Sequence, residues 1–405
     1  MTASDGRSRT IGAAALRRVR RSGSIRQAVA IGGRARQAGG VEGVRKQQML
    51  QAWTSTISAL DRLRRKQKLE RHLSKSLTEL HASQKIKLSN ARDLVGNHRA
   101  RLTKSQNGTV VGLNYSLLSR DRLLHVYSVR LAPLVMMFGA ADSVGTALAD
   151  VSDGEECDPG VIGYCSASDA AILVPDTQFC HSHGYASVRE SIANGGEWQT
   201  RDQTLVWRGS TTGKGLISRD GMSLDDFALL HRTRMCLLLR NHPGTDVRLN
   251  RVVHSAHPEL DESRLRTANI FGAHITSSDW SRRKYALDID GNTNAWSNLF
   301  TRLLMGCCVI KVASPRNYRQ WYYDDLTPWE HYVPVASDMS DILEKIDWCR
   351  SHDAECRQIA LRGQDLVRRR TFETEIAQAV KRIERALVTG KHSASLESSR
   401  GEWKT

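Results

Sequence analysis

From residue 109 onward, short apolar runs recur at intervals long enough for a helix between them. This alternation constrains the fold more than anything else in the chain. The runs are Leu123–Gly139 (LLHVYSVRLAPLVMMFG), Thr146–Asp153, Ala170–Asp176, Thr204–Ser210, Met235–Asn241, Lys284–Asp290, Cys307–Ser314 and His331–Val335. Read as strands separated by helix-length pieces, they predict βαβ units and an α/β fold built on largely parallel sheets. The stretch Lys284–Val312 predicts a complete unit. Tyr285–Asp290 alternates like a strand, and Gly291-Asn292-Thr293-Asn294 is a polar turn. Trp296, Leu299, Phe300, Leu303 and Leu304 then share one helical face, Gly306 stops the helix, and Cys307–Val312 is the next strand. No repeat of 20–50 residues is evident.

Upstream the pattern differs. Residues 1–44 are rich in Gly, Arg, Ser and Ala, and read as a flexible arm. Between Val44 and Arg101 there is no proline. Leu50, Trp53, Ile57 and Leu60, then Leu69, Leu73, Leu77 and Leu80, fall at helical spacing, so residues 45–108 read as a helical extension. The remainder divides into 109–200, 201–360, a C-terminal helix over 361–388 and a flexible tail over 389–405.

Charge follows the same division. Of the +16 formal charge, residues 1–108 carry 24 Lys and Arg against 6 Asp and Glu, and the other 297 residues carry 35 against 37. A folded domain that grips nucleic acid over a long path carries positive charge on itself; this body is near neutral. A basic arm suits an anionic membrane surface, a nucleic acid or a partner. The amino-terminal segment lacks an apolar signal core, and its arginine-rich, acid-poor character is similar to a transit peptide. No run of 18 apolar residues is evident, so the sequence predicts no membrane span. Eight cysteines occur without a C-x-x-C. Cys307 and Cys308 read as core residues, and Cys180-His181-Ser182-His183 lacks a second ligand pair. The expectation is an intracellular, cytoplasmic protein with reduced thiols and no metal site.

Two strand ends carry polar glycine bends. One is Gly291–Asn294 with the helix start to Ser297. The other follows Thr204–Trp207 as Arg208-Gly209-Ser210-Thr211-Thr212-Gly213-Lys214-Gly215. Glycine allows tight bending and close approach of a ligand, and unpaired N–H groups at a helix start favour an anion. Neither bend has the order of a dinucleotide fingerprint or a P-loop. Arg232 and Arg234 are further candidates for phosphate contact. Asp288 and Asp290 form a D-x-D that suits either a divalent cation or ordinary capping.

The segments Trp207–Gly213 and Lys284–Cys349 together resemble glycosyltransferase family 90, the group of capsule-associated proteins, lipopolysaccharide-modifying transferases and Rumi-type protein O-glucosyltransferases. The specific elements are K-Y-x-x-D-x-D-G-N from Lys284, N-x-x-x-W-Y-Y from Asn317, and P-W-x-H-Y-V-P-V from Pro328. The resemblance covers 200–360 and extends more weakly over 109–200. It implies a GT-B-like architecture: 109–200 as an acceptor-side Rossmann-like domain and 201–360 as a UDP-sugar-binding one, facing a cleft. It also implies inverting transfer from a UDP-sugar with no required cofactor or metal.

The donor residues it implies are Gly209, Ser210 and Thr211, then Asn292, Thr293, Asn294, Ala295, Trp296 and Ser297; Arg208, Thr212 and Gly291 join them as members of the same two bends. Rumi-type members carry an arginine in the first turn of the helix, where this chain has Trp296-Ser297-Asn298. The diphosphate then needs another cation: Arg208, Lys214, Arg232 or Arg234. The implied general base is an aspartate at a strand end in the first domain, assigned to Asp153 with Asp150 and Glu155 as rivals. Asp176 reads as a cap.

Three readings stand at this point. The chain is a family-90 type transferase moving glucose or xylose to a glycan, lipid-linked or protein hydroxyl, with lipopolysaccharide or capsule synthesis as the setting. Or it is a metal-dependent transferase using Asp288 and Asp290. Or it is a non-enzymatic protein that binds through its basic arm.

Overall fold

A computed structural model describes residues 41–192 and 196–400. It divides into two compact units, residues 1–65 and 66–405. In the first, the described part is helical, the beginning of α1 (Val41–Glu79); Leu60 and Leu63 there are each about half exposed. The rest of the 1–44 arm lies outside the described residues, as do 401–405 of the expected tail.

In the second unit the end of α1 buries Leu69, Leu73 and Leu77 in the core around a six-stranded sheet. Its strands are β1 (Ile86–Asn90), β2 (Arg99–Ser105), β3 (Gly108–Leu113), β4 (Gly145–Asp150), β5 (Ile162–Gly163) and β6 (Ile172–Leu173), in the order β1-β3-β2-β4-β5-β6. All neighbours are parallel except β2, which runs against β3 and β4. The expected helical extension therefore ends at Glu79, and residues 86–108 belong to the sheet. Their strands are short and polar on alternate positions, a pattern that proline-free composition does not distinguish from helix.

Leu123–Gly139 is a second correction: it lies within helix α2 (Asp121–Ala140), not in a strand. Seventeen residues exceed an ordinary strand, and Leu131–Phe138 are buried without interruption. A helix apolar all round belongs in a core. It packs with Ala379, Ile383 and Leu387 of the C-terminal helix in the first core cluster. By length and composition α2 is also apolar enough to cross a membrane, where the sequence predicted no such segment, but here most of its residues are buried in protein.

Short helices α3 (Thr177–His181) and α4 (Ala186–Ile192) lead to a five-stranded, all-parallel sheet. Its strands are β7 (Leu205–Ser210), β8 (Thr245–Arg251), β9 (Tyr285–Asp288), β10 (Cys308–Val312) and β11 (Val333–Val335), in the order β11-β10-β9-β7-β8. Helices α5 (His231–Leu239), α6 (Pro258–Thr267), α7 (Ser277–Trp280), α8 (Ser297–Leu304), α9 (Ile342–Ser351) and α10 (Asp353–Arg368) complete it. Met235–Asn241, expected as a strand, is the end of α5 and its exit. The actual strand, TDVRLNR, is an edge strand with alternating exposure, so it lacks a continuous apolar run. The boundary set at 361 falls inside α10, and the C-terminal helix is α11 (Phe372–Arg400).

The two sheets are joined by a third core cluster. Phe179 of α3 meets Phe300 of α8 edge-on at 5.5 Å and Trp321 at 5.2 Å. Ser166 and Arg319 exchange backbone hydrogen bonds across the same junction.

Candidate active site

Strands β7 and β9 are neighbours, so the bends at their carboxyl ends lie side by side. What holds the bends together is Arg232, buried on α5 (8% exposed). Its guanidinium donates to Ser210 O at 3.1 Å and Thr212 Oγ1 at 2.7 Å on one bend, and to Asp290 O at 2.9 Å and Ile289 O at 3.1 Å on the other. Burial pulls its pKa down to about 10, so it remains a cation at neutral pH. None of its hydrogen-bond acceptors is a carboxylate oxygen.

Gly291 is required where these parts meet: a Cβ there would lie 2.5 Å from Thr212 Oγ1 and 3.0 Å from Arg232 Nη2. Gly213, with φ near +134°, turns its N–H onto Asn292 Oδ1 at 3.1 Å.

The same Asn292 reaches across to the other sheet. Its Nδ2 donates to Asp153 Oδ2 at 2.9 Å, and Thr293 Oγ1 donates to Asp153 O at 2.6 Å. Asp153 stands just beyond β4. Of the three carboxylates considered for this segment, it is the one against the glycine bends. Asp150 is buried and accepts from Ser152 N–H and Oγ, and burial raises its pKa; Glu155 is exposed.

Burial pushes the Asp153 carboxyl up, but the Arg130 charge and hydrogen bonds from Asn292 and Arg130 outweigh it and hold the group below the usual carboxylate range. Arg130 pairs with Asp153 Oδ1 at 2.6 Å, donates to Val151 O, and lies 4.7 Å over the Trp296 ring. This residue was missed in the sequence. Its signal was there: a single arginine in the middle of an apolar run, a position that demands a charged or polar partner.

Trp296 caps α8 in a left-handed conformation, φ +50°, and its N–H goes to Asn294 Oδ1 at 2.6 Å. Asn294 (2% exposed) leaves Nδ2 without a partner among the described residues, and so does Asp290 (7% exposed) with both carboxyl oxygens. Burial raises the Asp290 carboxyl to about 6 despite nearby Lys311. Unpaired buried groups of this kind are costly unless something else engages them. Ala295 and Ser297 are half-buried beside them.

The other candidates have side chains engaged elsewhere or lie at the margin of the bends. Arg208 is engaged with Asp246 Oδ2 at 2.5 Å and Ala273 O, and Arg234 lies 4.2 Å over Phe227. Thr211 is buried, its hydroxyl spent on Val253. Lys214 is exposed, Gly209 and Ser210 are half-buried at the strand end. Asp288, half of the D-x-D, accepts from Lys311 Nζ at 3.1 Å and Asn298 Nδ2 at 2.7 Å. Asp176 is a buried cap, accepting from Phe179 N–H and Gln320 Nε2.

A carboxylate at the end of one sheet, set against paired glycine bends of another, can take a proton beside a bound anion. A family model, glycosyl transferase family 90, matches residues 114–378, and the chain belongs to that family. It is 39% identical over 95 residues to protein O-glucosyltransferase 2 of Danio rerio, covering 24% of this chain and 18% of that protein. It is 32% identical over 163 residues to uncharacterized protein 035R of Invertebrate iridescent virus 3, covering 40% and 14%. The chain thus spans under a quarter of the length of these relatives. Among solved structures it matches Anabaena HepE in complex with UDP-glucose, at 10% identity and a TM-score of 0.31 over 50% of this chain and 53% of that one, a likeness too slight to bear on the fold.

Proposed function

We propose that this chain is an inverting glycosyltransferase that moves glucose or xylose from a UDP-sugar to a hydroxyl acceptor. The observation that carries this reading is Asn292, which ties the Gly213 N–H of one bend to the Asp153 carboxylate from the opposite sheet. The two sheets then act as the halves of a GT-B enzyme, with the acceptor entering between them. The diphosphate lies on the Ser210–Gly213 and Gly291–Ser297 bends above Arg232, whose fixed positive charge favours an anion. Asp153 accepts the acceptor's hydroxyl proton as that oxygen attacks C1 of the sugar. The bond from C1 to the diphosphate breaks, and UDP departs with the electron pair. Arg130, beside the base, adds positive charge to the same space. Asp290 and Asn294, buried and unpaired, suit the sugar's hydroxyl groups.

The donor site requires no metal in this reading, because Asp288 is bonded to Lys311 and Asn298. A cytoplasmic chain whose basic residues 1–108 touch an anionic membrane would reach a lipid-linked precursor of lipopolysaccharide or capsule. The test is thermal: UDP with EDTA present raises the Tm, and a shift that appears only with Mn²⁺ or Mg²⁺ would favour the D-x-D alternative. No response to UDP, with salt-sensitive binding to anionic lipid or nucleic acid, would favour a non-enzymatic role for the arm.

A further inference from the structure

Far from the bends, at the opposite end of the parallel sheet, three cysteines converge. Cys308 opens β10, Cys349 lies in the last turn of α9, and Cys356 lies in the first turn of α10. Their sulfur atoms all lie within 4.8 Å of one another, all three residues are buried, and all are free thiols. No other group of three or more His, Cys, Asp or Glu among the described residues meets in this way.

We propose that Cys308, Cys349 and Cys356 form a binding site for one soft d¹⁰ cation, Zn²⁺ or Cu⁺, held by three thiolates. Thiolates bind such cations with metal–sulfur bonds of about 2.3 Å, which place the sulfurs of a trigonal or tetrahedral site about 3.8–4.0 Å apart. The three side chains need to close by no more than about 1 Å, within the reach of side-chain rotation. The polar groups beside the cluster are spent on oxygen acceptors. Tyr285 faces Cys308 in the sheet register and donates to Cys349 O at 2.9 Å, and buried Lys284 pairs with Asp353 at 2.7 Å. Asp353 is already engaged by Lys284 and by Trp198 Nε1, so the protein supplies three sulfur ligands and any fourth comes from solvent. Bound metal would pin the α9–α10 junction to the amino end of β10. The role is structural, and it is independent of the donor site.

The probe is Cd²⁺, added to the full-length chain after reduction and removal of metal by chelator. The expected result is a thiolate-to-cadmium charge-transfer band that saturates at one equivalent, with a rise in Tm. Cys349→Ser should cut the band by about a third and weaken binding at least about tenfold, whereas Cys236→Ser, a buried cysteine outside the cluster, should leave both unchanged. If Cys349→Ser does not fold, X-ray absorption of the Zn²⁺-loaded wild type decides, with three sulfur neighbours expected. No band and no Tm shift in the wild type, or a sulfur count below three, overturns the site.

Discussion

In the five-stranded sheet every strand runs parallel to its neighbours, whereas in the six-stranded sheet β2 runs against both of its partners. The first arrangement brings all carboxyl ends to one edge. Two strand–bend–helix units whose strands are neighbours in the sheet therefore offer their bends together, Ser210–Gly213 beside Gly291–Asn294. In the mixed sheet the end of β4 lies next to the start of β2, with Asp150 opposite Arg99. Of what that edge carries, the loop Val151–Gly154 after β4 brings Asp153 against the bends. A parallel sheet builds a cradle by repetition, and the mixed one adds a single chemical group. The most direct way to break this comparison is Asp153→Asn. Transfer should fall by about 10²–10⁴-fold, while the UDP-induced Tm shift stays within error. Equal loss of both, in a folded variant, would place Asp153 in the cradle instead.

Arg232→Met tests the other half. It removes a buried cation that bonds both bends and takes the guanidinium donors from the carbonyls of Ser210, Ile289 and Asp290 in the interior. A loss of about 3–5 kcal/mol in chemical denaturation is expected, together with loss of UDP binding. A variant of normal stability that still binds UDP would show that the bends need no brace.

The same contrast explains how much could be read from the sequence. Lys284–Val312 announced itself because strand, glycine bend and amphipathic helix follow one another without interruption, and TLVWRGS did the same for β7. The six-stranded sheet was hidden. Its first three strands sit in a polar stretch without proline, which also satisfies a helix, and its helix α2 is apolar without a break over Leu131–Phe138 and so imitates a strand run. Within the site, Asp153 could be assigned from the family resemblance, and Asn292 from its bend. Arg130 stood out only as a lone arginine in an apolar run; its partner, Asp153, is 23 positions away, and no local pattern records that pairing. Arg208 and Arg234 were also put forward as cations, but charge alone does not show that one is committed to Asp246 and the other to the Phe227 ring.

Asp290→Asn separates ligand recognition from stability. The folded chain holds the Asp290 proton up to about pH 6, while the unfolded carboxyl releases it near its ordinary value of 3.8. Between those values the unfolded state binds fewer protons, so this group makes stability fall as pH rises, and the cost persists above pH 6. Replacing it should raise stability at pH 7 by roughly 1–3 kcal/mol and change little at pH 4. Asp176, also raised to about 6 by burial, keeps a similar slope in the variant. If Asp290 contacts the donor's hydroxyls, the more stable protein should be a poorer transferase.

The smallest effect is expected at Arg130, and it bears on how the two sheets cooperate. The Asp153 carboxyl is held low mainly by this guanidinium working against burial. Removing the charge with Arg130→Met leaves burial in command, so the base takes up its proton at higher pH. The acid limb of the rate profile should therefore move upward, with kcat/KM at neutral pH falling by no more than about tenfold. The stability that ionised Asp153 contributes, present above the ordinary carboxylate pKa and lost as pH falls through the depressed folded value, should disappear as well. Arg130→Lys should restore both in part, since a lysine supplies the charge but not the second hydrogen bond to Val151 O. An unmoved acid limb in Arg130→Met would mean that the proton acceptor is a different carboxylate. The pairing of Asp153 with Arg130 would then serve only to close the loop after β4.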